Sequence, residues 1–233
     1  MKKKTVYTEV AYLLGLVFIA LGAALMERSD FGVSMIVAPA YLLFRYVSTF
    51  WPWFTFGTAE YCFQAVLLLL MMLVMRRFRL PYLFSFVTAV LYGFILDGCM
   101  LLAALLPNGL VWRFLWFILG MLAGALGVSL MFRTYLPAEV YELFVKEVSG
   151  HTGINITKFK TWYDRVSCLI ALAMSFLFFG LWHFVGVNWG TIFCALINGP
   201  SVGQFGVLLD SRFCFKDALP WRSFFTEKPA EKT

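Results

Sequence analysis

Charge is scarce in this sequence. Asp, Glu, Lys and Arg make up 14% of its 233 residues, where a soluble domain carries roughly 25%. A water-facing surface cannot be covered at that density, which excludes a soluble globular domain. Histidine occurs twice, as His151 and His183, on opposite sides of the membrane in the topology derived below. The five cysteines, Cys62, Cys99, Cys168, Cys194 and Cys214, stand singly with no C-x-x-C and no Cys/His spacing. A disulfide framework and a zinc site are thereby set aside in favour of reduced core residues. H-E-x-x-H, G-x-S-x-G and phosphate-binding glycine loops are all missing, so no catalytic residue, metal or cofactor is assigned and an enzyme is not expected.

Apolar residues are what the sequence has instead: 61% are hydrophobic and the mean hydropathy is +0.81. This is the composition of an all-α polytopic protein whose first partner is the lipid bilayer. The net charge of +6 then reflects cytoplasmic loops facing anionic headgroups, not nucleic acid. A spanning helix needs about 20 mostly apolar residues, and six stretches qualify: 9–26, 56–75, 82–106, 111–132, 159–183 and 187–209. Arg76, Arg77, Arg79 and Pro81 separate the second from the third, and Pro107, Asn108 and Gly109 turn the chain between the third and fourth. Two shorter stretches, 31–48 and 136–149, follow the first and fourth spans. In the second, Val140, Leu143, Phe144 and Glu147 recur at helical spacing among Glu139, Glu142 and Lys146. An amphipathic interfacial helix is the plainer and favoured reading, a partly re-entrant helix the sharper one.

The segment 14–28 recurs, offset by 105 residues, as 119–133, with eight identities in fifteen positions. Leu14, Gly15, Ala20, Leu21, Gly22, Leu25, Met26 and Arg28 return as Leu119, Gly120, Ala125, Leu126, Gly127, Leu130, Met131 and Arg133. A unit of three spans repeated in tandem places its copies upside down to one another, the architecture of many secondary transporters. The expected division is therefore 1–110 and 111–210 as two inverted three-helix repeats, with 211–233 as a cytoplasmic tail, partly disordered. Orientation follows from Lys and Arg: of the 19, all but Arg28, Arg45 and Arg113 fall on one side when both termini are inside. The localisation expected is the bacterial cytoplasmic membrane.

Ionisable groups inside spans are costly and are functional or paired. Glu60 and Gln64 share a face of the second span, Asp164 sits near the inner end of the fifth, and Asp97 lies in the outer third of the third. The sixth span carries Asn198, Gly199 and Pro200 near its middle and Gln204 one turn on. A Gly-Pro pair at mid-membrane marks a kink or break whose freed carbonyls need protein or water partners. It is read either as a substrate or ion site at a discontinuous helix or as a packed kink. Glu60, Asp97 and Asn198 are expected to share an outward-opening funnel. Arg28 and Arg133 close the repeated motif as snorkelling anchors or as partners of Asp30 or Glu60 and of Glu139 or Asp164.

Further motifs are Asp30-Phe31-Gly32-Val33-Ser34, Leu126-Gly127-Val128-Ser129-Leu130, Pro137-Ala138-Glu139, and Gly186-Val187-Asn188-Trp189-Gly190-Thr191 before Asn198-Gly199-Pro200. In these the chain, from about residue 9 to 209, resembles the YczE/YyaS/YitT family of bacterial multipass membrane proteins. Leu136 stands where that family has a glycine before its proline, and Thr134 and Tyr135 where it has small loop residues, which points to a remodelled second loop. The short segment after Ser211 leaves no expectation of the soluble C-terminal domain that YitT-like members often add. The resemblance implies the fold and no particular activity. The function expected is a small-solute secondary transporter or permease, proton- or cation-coupled; the rival is a non-transporting accessory or scaffold protein. Its substrate is an unspecified small solute, and a homo-oligomer is left open.

Overall fold

The structure, a computed structural model, describes residues 3–76, 80–180, 186–220 and 222–225. Arg77, Arg79, His183, Trp221, Lys228 and Lys232 lie outside the described residues. The chain runs β1 (Lys4–Tyr7), α1 (Thr8–Ser29), α2 (Ala38–Val47), α3 (Phe56–Met75), α4 (Leu80–Ala104), α5 (Leu110–Met131), α6 (Val140–Thr152), α7 (Ile156–Phe179), α8 (Trp189–Arg212), β2 (Phe213–Lys216) and α9 (Arg222–Phe225). Six of the described helices, α1, α3, α4, α5, α7 and α8, are long and apolar enough to cross a membrane. Helices are what apolar runs of this length must form in lipid, because only they satisfy every backbone group locally. The boundaries are chemical. Thr55 caps α3 by accepting from Thr58 N–H, Asn155 caps α7 by accepting from Thr157 and Lys158 N–H, and Pro107–Gly109 leads into α5.

The two copies of the repeated motif, in α1 and α5, make the most extensive helix contact in the bundle. They run antiparallel, with Gly22 against Gly120 and Gly15 against Gly127. A Cβ on Gly22 would lie 2.7 Å from Gly120 O and 2.7 Å from Gly124 N, so glycine alone permits this approach. Around this pair α1 packs on α4, α5 on α8, α3 on α4 and α7 on α8. α2 and α6 each lie between α3 and α7.

Two expectations need correction. α6 buries Val140, Tyr141, Glu142 and Leu143 in succession, and α2 buries Ala38 through Leu42. Four consecutive positions cover nearly the whole circumference at 100° per residue, so neither helix begins as an interfacial one with a single buried face. α8 runs unbroken through Pro200, and Gly199 lets it close on Thr161 of α7, so the pair is a packed helix contact and not a break. The segment after Ser211 is partly built into the fold. β2 pairs parallel with β1, Lys4 opposite Phe213 through Tyr7 opposite Lys216, with Phe213 and Phe215 packed near Leu130 and Leu209. Glu9 extends this tie by accepting from Ala218 N–H, Leu219 N–H and, at 2.7 Å, Tyr135 OH. The β1–β2 pair also places the start of α1 and the end of α8 on one face.

The Gly22–Gly120 crossing makes a direct prediction. Gly22→Ala should destabilise the protein by about 1–3 kcal/mol, because backbone atoms face the new methyl on the opposite helix. Gly98→Ala, with nothing within 4 Å of its Cβ position, should be neutral or stabilising. Thermal unfolding in detergent checks this; equal behaviour of the two variants would contradict the packing.

Candidate functional site

A cavity of about 40 Å³, room for about three water molecules, lies where α1 crosses α5. Gly22, Gly120 and Gly124 form its wall at the crossing, and Tyr92, Cys194 and Asn198 reach it from α4 and α8. Further lining comes from the starts of the two short helices: Ser34, Ile36 and Val37 before α2, and Glu139, Tyr141 and Glu142 at the start of α6. Both helix N-termini therefore face one small space at the middle of the bundle.

Behind this lining lies a continuous cluster of buried polar side chains. Tyr141 OH donates to Glu60 Oε2 at 3.1 Å. Gln64 bridges α3 to α6, accepting from Val140 N–H at 3.0 Å and donating to Glu139 Oε2 at 3.3 Å. Lys160 Nζ sits 3.2 Å from Asp164 Oδ1 and 3.6 Å from Glu142 Oε1, and Asn198 Nδ2 donates to Asp164 Oδ2 at 3.3 Å. Glu60, Gln64, Lys160 and Asp164 have no exposed surface, and Glu139 and Glu142 have 1% and 2%. Glu60 Oε1, Glu139 Oε1 and Tyr92 OH are buried with no hydrogen-bond partner among the described residues.

The cluster thus holds four carboxyl groups and one ammonium, which pairs with Asp164 and Glu142. A surplus of three negative charges cannot persist in a low-dielectric interior, so the cluster must hold protons or recruit a cation. Burial, with the charges of Glu142 and Glu60 beside it, pushes Glu139 well above the usual carboxylate range. Burial also raises Glu142, with Lys160 acting in the opposite direction. Among the described residues no three His, Cys, Asp or Glu side chains converge as metal ligands.

Of the residues singled out in the sequence, Glu60, Gln64, Asp164 and Asn198 meet in this cluster. Asp97 does not: half-buried, it accepts from Thr55 Oγ1 at 2.8 Å and Gly57 N–H at 2.9 Å, tying α4 to the start of α3. The expected funnel joining it to Glu60 and Asn198 is therefore not formed. Gln204 is exposed on α8, and Gly199 and Pro200 serve the contact with α7. Gly22 lines the cavity, while Gly127 packs on Gly15 outside it. Arg28 donates from Nε to Leu106 O at 3.1 Å, and Arg133 grips Asp210 through two bonds of 2.7 and 2.6 Å, so neither takes the carboxylates expected for it. Glu142 and Lys160 were the residues hardest to find. Lys160 reads as one more charge of the inner face, and Glu142 as part of a polar helix face. The signal available was the offset of 105, which sets Glu139 on Ser34 of the first-half motif.

A family model matches residues 6–206. The chain belongs to a family of unknown function, DUF6198. This membership covers α1 through most of α8, and so includes every residue of the buried cluster. Comparison with curated proteins and with solved structures finds no match.

The raised Glu139 predicts a pH dependence. The folded protein keeps a proton that the unfolded chain releases near pH 4.3, so stability falls as pH rises from about there toward the folded value. Glu139→Gln should flatten part of that fall in melting curves taken from about pH 5 to 8. Parallel curves for the two proteins would show that Glu139 carries no bound proton.

Proposed function

We propose that this DUF6198 protein is a small-solute secondary transporter of the bacterial cytoplasmic membrane, coupled to protons through the buried cluster. One observation carries the proposal: four buried carboxyl groups and one lysine are packed together beside a water-sized cavity, with Glu60 Oε1 and Glu139 Oε1 lacking a hydrogen-bond partner among the described residues. Such an arrangement costs several kcal/mol for each unmet group and is kept in membrane proteins for ion or proton handling.

The architecture we infer is a pair of inverted repeats, 1–110 and 111–210. At the 105-residue offset the contact of Gly15 with Gly127 becomes that of Gly120 with Gly22, as a two-fold axis across the antiparallel pair requires. The same offset carries Ser34, Ile36 and Val37 onto Glu139, Tyr141 and Glu142, and both triplets line the cavity. α2 and α6 are then re-entrant helices whose N-termini meet near the midplane, a geometry used by transporters to hold charged cargo. The termini face the cytoplasm on the charge count, and the motifs quoted above favour kinship with the YczE/YyaS/YitT family.

In the cycle we envisage, the halves rock about the α1–α5 crossing. Glu139 takes a proton from one side and passes it toward Glu60 through Tyr141 and the cavity water, while Lys160 steadies Asp164 and Glu142. One observation favours the accessory-protein reading: about 40 Å³ is too small for most metabolites. On the transport reading that size belongs to a closed state of the cycle.

Uptake into proteoliposomes separates the two. Purified protein should accumulate at least one of a panel of radiolabelled organic acids, amino acids, amines and sugars when a pH gradient is imposed. Glu139→Gln should lose gradient-driven accumulation yet retain solute exchange without a gradient. No uptake of any class, together with wild-type function of a cellular partner system, would favour the scaffold.

A further inference from the structure

A second concavity opens on the face opposite the β1–β2 pair, with a volume of about 390 Å³. It is lined by Arg28, Arg45 and Arg113, with Glu27, Asp30 and Tyr41 between them. These arginines come from α1, α2 and α5. They are also the three of the 19 Lys and Arg residues that the charge count leaves on this face. Scattered anchors at three helix ends would ring the bundle; here all three face one space.

Two of them have work in the fold and still have hydrogens to spare. Arg28 gives Nε and Nη2 to Leu106 O, ending α4. Arg113 gives Nε to Ser29 O at 2.7 Å and Nη2 to Asp30, with its guanidinium 4.8 Å above the Phe31 ring. Neither Nη1 is used among the described residues. The exposed Arg45 side chain, in the last turn of α2, makes no hydrogen bond or ion pair within 4 Å among the described residues, and its charge faces Glu27 and Tyr41 across the vestibule. Asp30 is matched by Arg113 at 2.9 Å, and Glu27 is met by Tyr41 OH at 3.4 Å, leaving the vestibule with one positive charge in excess.

We propose that this vestibule is a binding site for a small oxyanion, a carboxylate or phosphate group gripped by Arg45 with the free edges of Arg28 and Arg113. Planar guanidinium forks match both groups with paired hydrogen bonds, and a site built from three separate helices can close around one. Glu27 sets the limit on charge, favouring a single negative charge over a dianion. The vestibule and the central cavity draw on one stretch of chain. Asp30 and Tyr41 line the first, Ser34 and Val37 of the same stretch line the second, and Gly186 of the vestibule accepts from Val33 N–H at 3.0 Å. Binding here is independent of the transport reading, since it requires no flux and no titration of the cluster.

The test is calorimetric titration of the full chain in neutral, lipid-free detergent at low ionic strength, with inorganic phosphate and with acetate as probes. A parallel arm uses nanodiscs of phosphatidylglycerol or phosphatidylcholine to separate a free anion from a lipid headgroup. Saturable binding of a soluble probe is expected, weakened about tenfold or more by Arg45→Ala, which removes an exposed side chain with no hydrogen bond or ion pair among the described residues. Glu27→Gln should tighten binding, and Arg165→Ala on the opposite face should leave it unchanged. Arg45-dependent retention of phosphatidylglycerol with no response to either probe assigns the oxyanion to a headgroup and overturns the soluble-solute form. Silence in every arm, or equal binding by Arg45→Ala, overturns the site altogether.

Discussion

The close crossing of α1 and α5 is the constraint on which the remaining structure depends. Backbone touches backbone at Gly22 and Gly120 and again at Gly15 and Gly127, which fixes the two halves at a spacing no larger residue would allow. In lipid this contact cannot be driven by apolar burial, because lipid tails are as apolar as leucine. It rests on close packing of small residues. With α1 and α5 joined so tightly, the segments that follow them have one place to go. The starts of α2 and α6 reach the cavity at this crossing, and both helices pack on α3 and α7.

That geometry produces the electrostatics. The start of α6 brings Glu139 and Glu142 into the bundle, where Glu60 and Gln64 of α3 and Lys160 and Asp164 of α7 already face inward. Direct pairing satisfies part of the cluster: Lys160 with Asp164, Gln64 with Glu139, Tyr141 with Glu60. The oxygens left over are on Glu60 and Glu139, and a protonated acid is the least costly way to bury them. Tyr141 OH lies against Glu60 within the same cluster, and Glu139 and Tyr141 both line the small cavity.

The spans were legible in the sequence because twenty apolar residues in a row have few other solutions, and Glu60, Gln64, Asp164 and Asn198 stood out as polar groups within them. The burial of the starts of α2 and α6 was not legible. In α6 the mixture of apolar and charged residues is the pattern of a helix lying on a surface, and only the consecutive buried positions of its first turn depart from that pattern. Asp97 misled for a different reason: an acid within a span can be answered by the N-terminus of its neighbour, here Thr55 and Gly57. Pro200 misled because Gly199 beside it made a tight contact with Thr161 more valuable than a break. The arginine vestibule was invisible, since Arg28, Arg45 and Arg113 are far apart in the chain and each reads alone as an anchor. Phe213 to Lys216, four residues beyond the last span, gave no sign of pairing with the N-terminal strand.

The central claim is that the buried cluster holds a proton on Glu139 in the resting protein. Infrared difference spectroscopy of the purified protein in lipid, titrated through about pH 7, reads this directly, because a protonated carboxyl has its own carbonyl stretch. The account predicts a protonated-carboxyl band at neutral pH that loses a component in Glu139→Gln and is unchanged in Asp97→Asn. A spectrum without such a band, or one that Glu139→Gln does not alter, would contradict it.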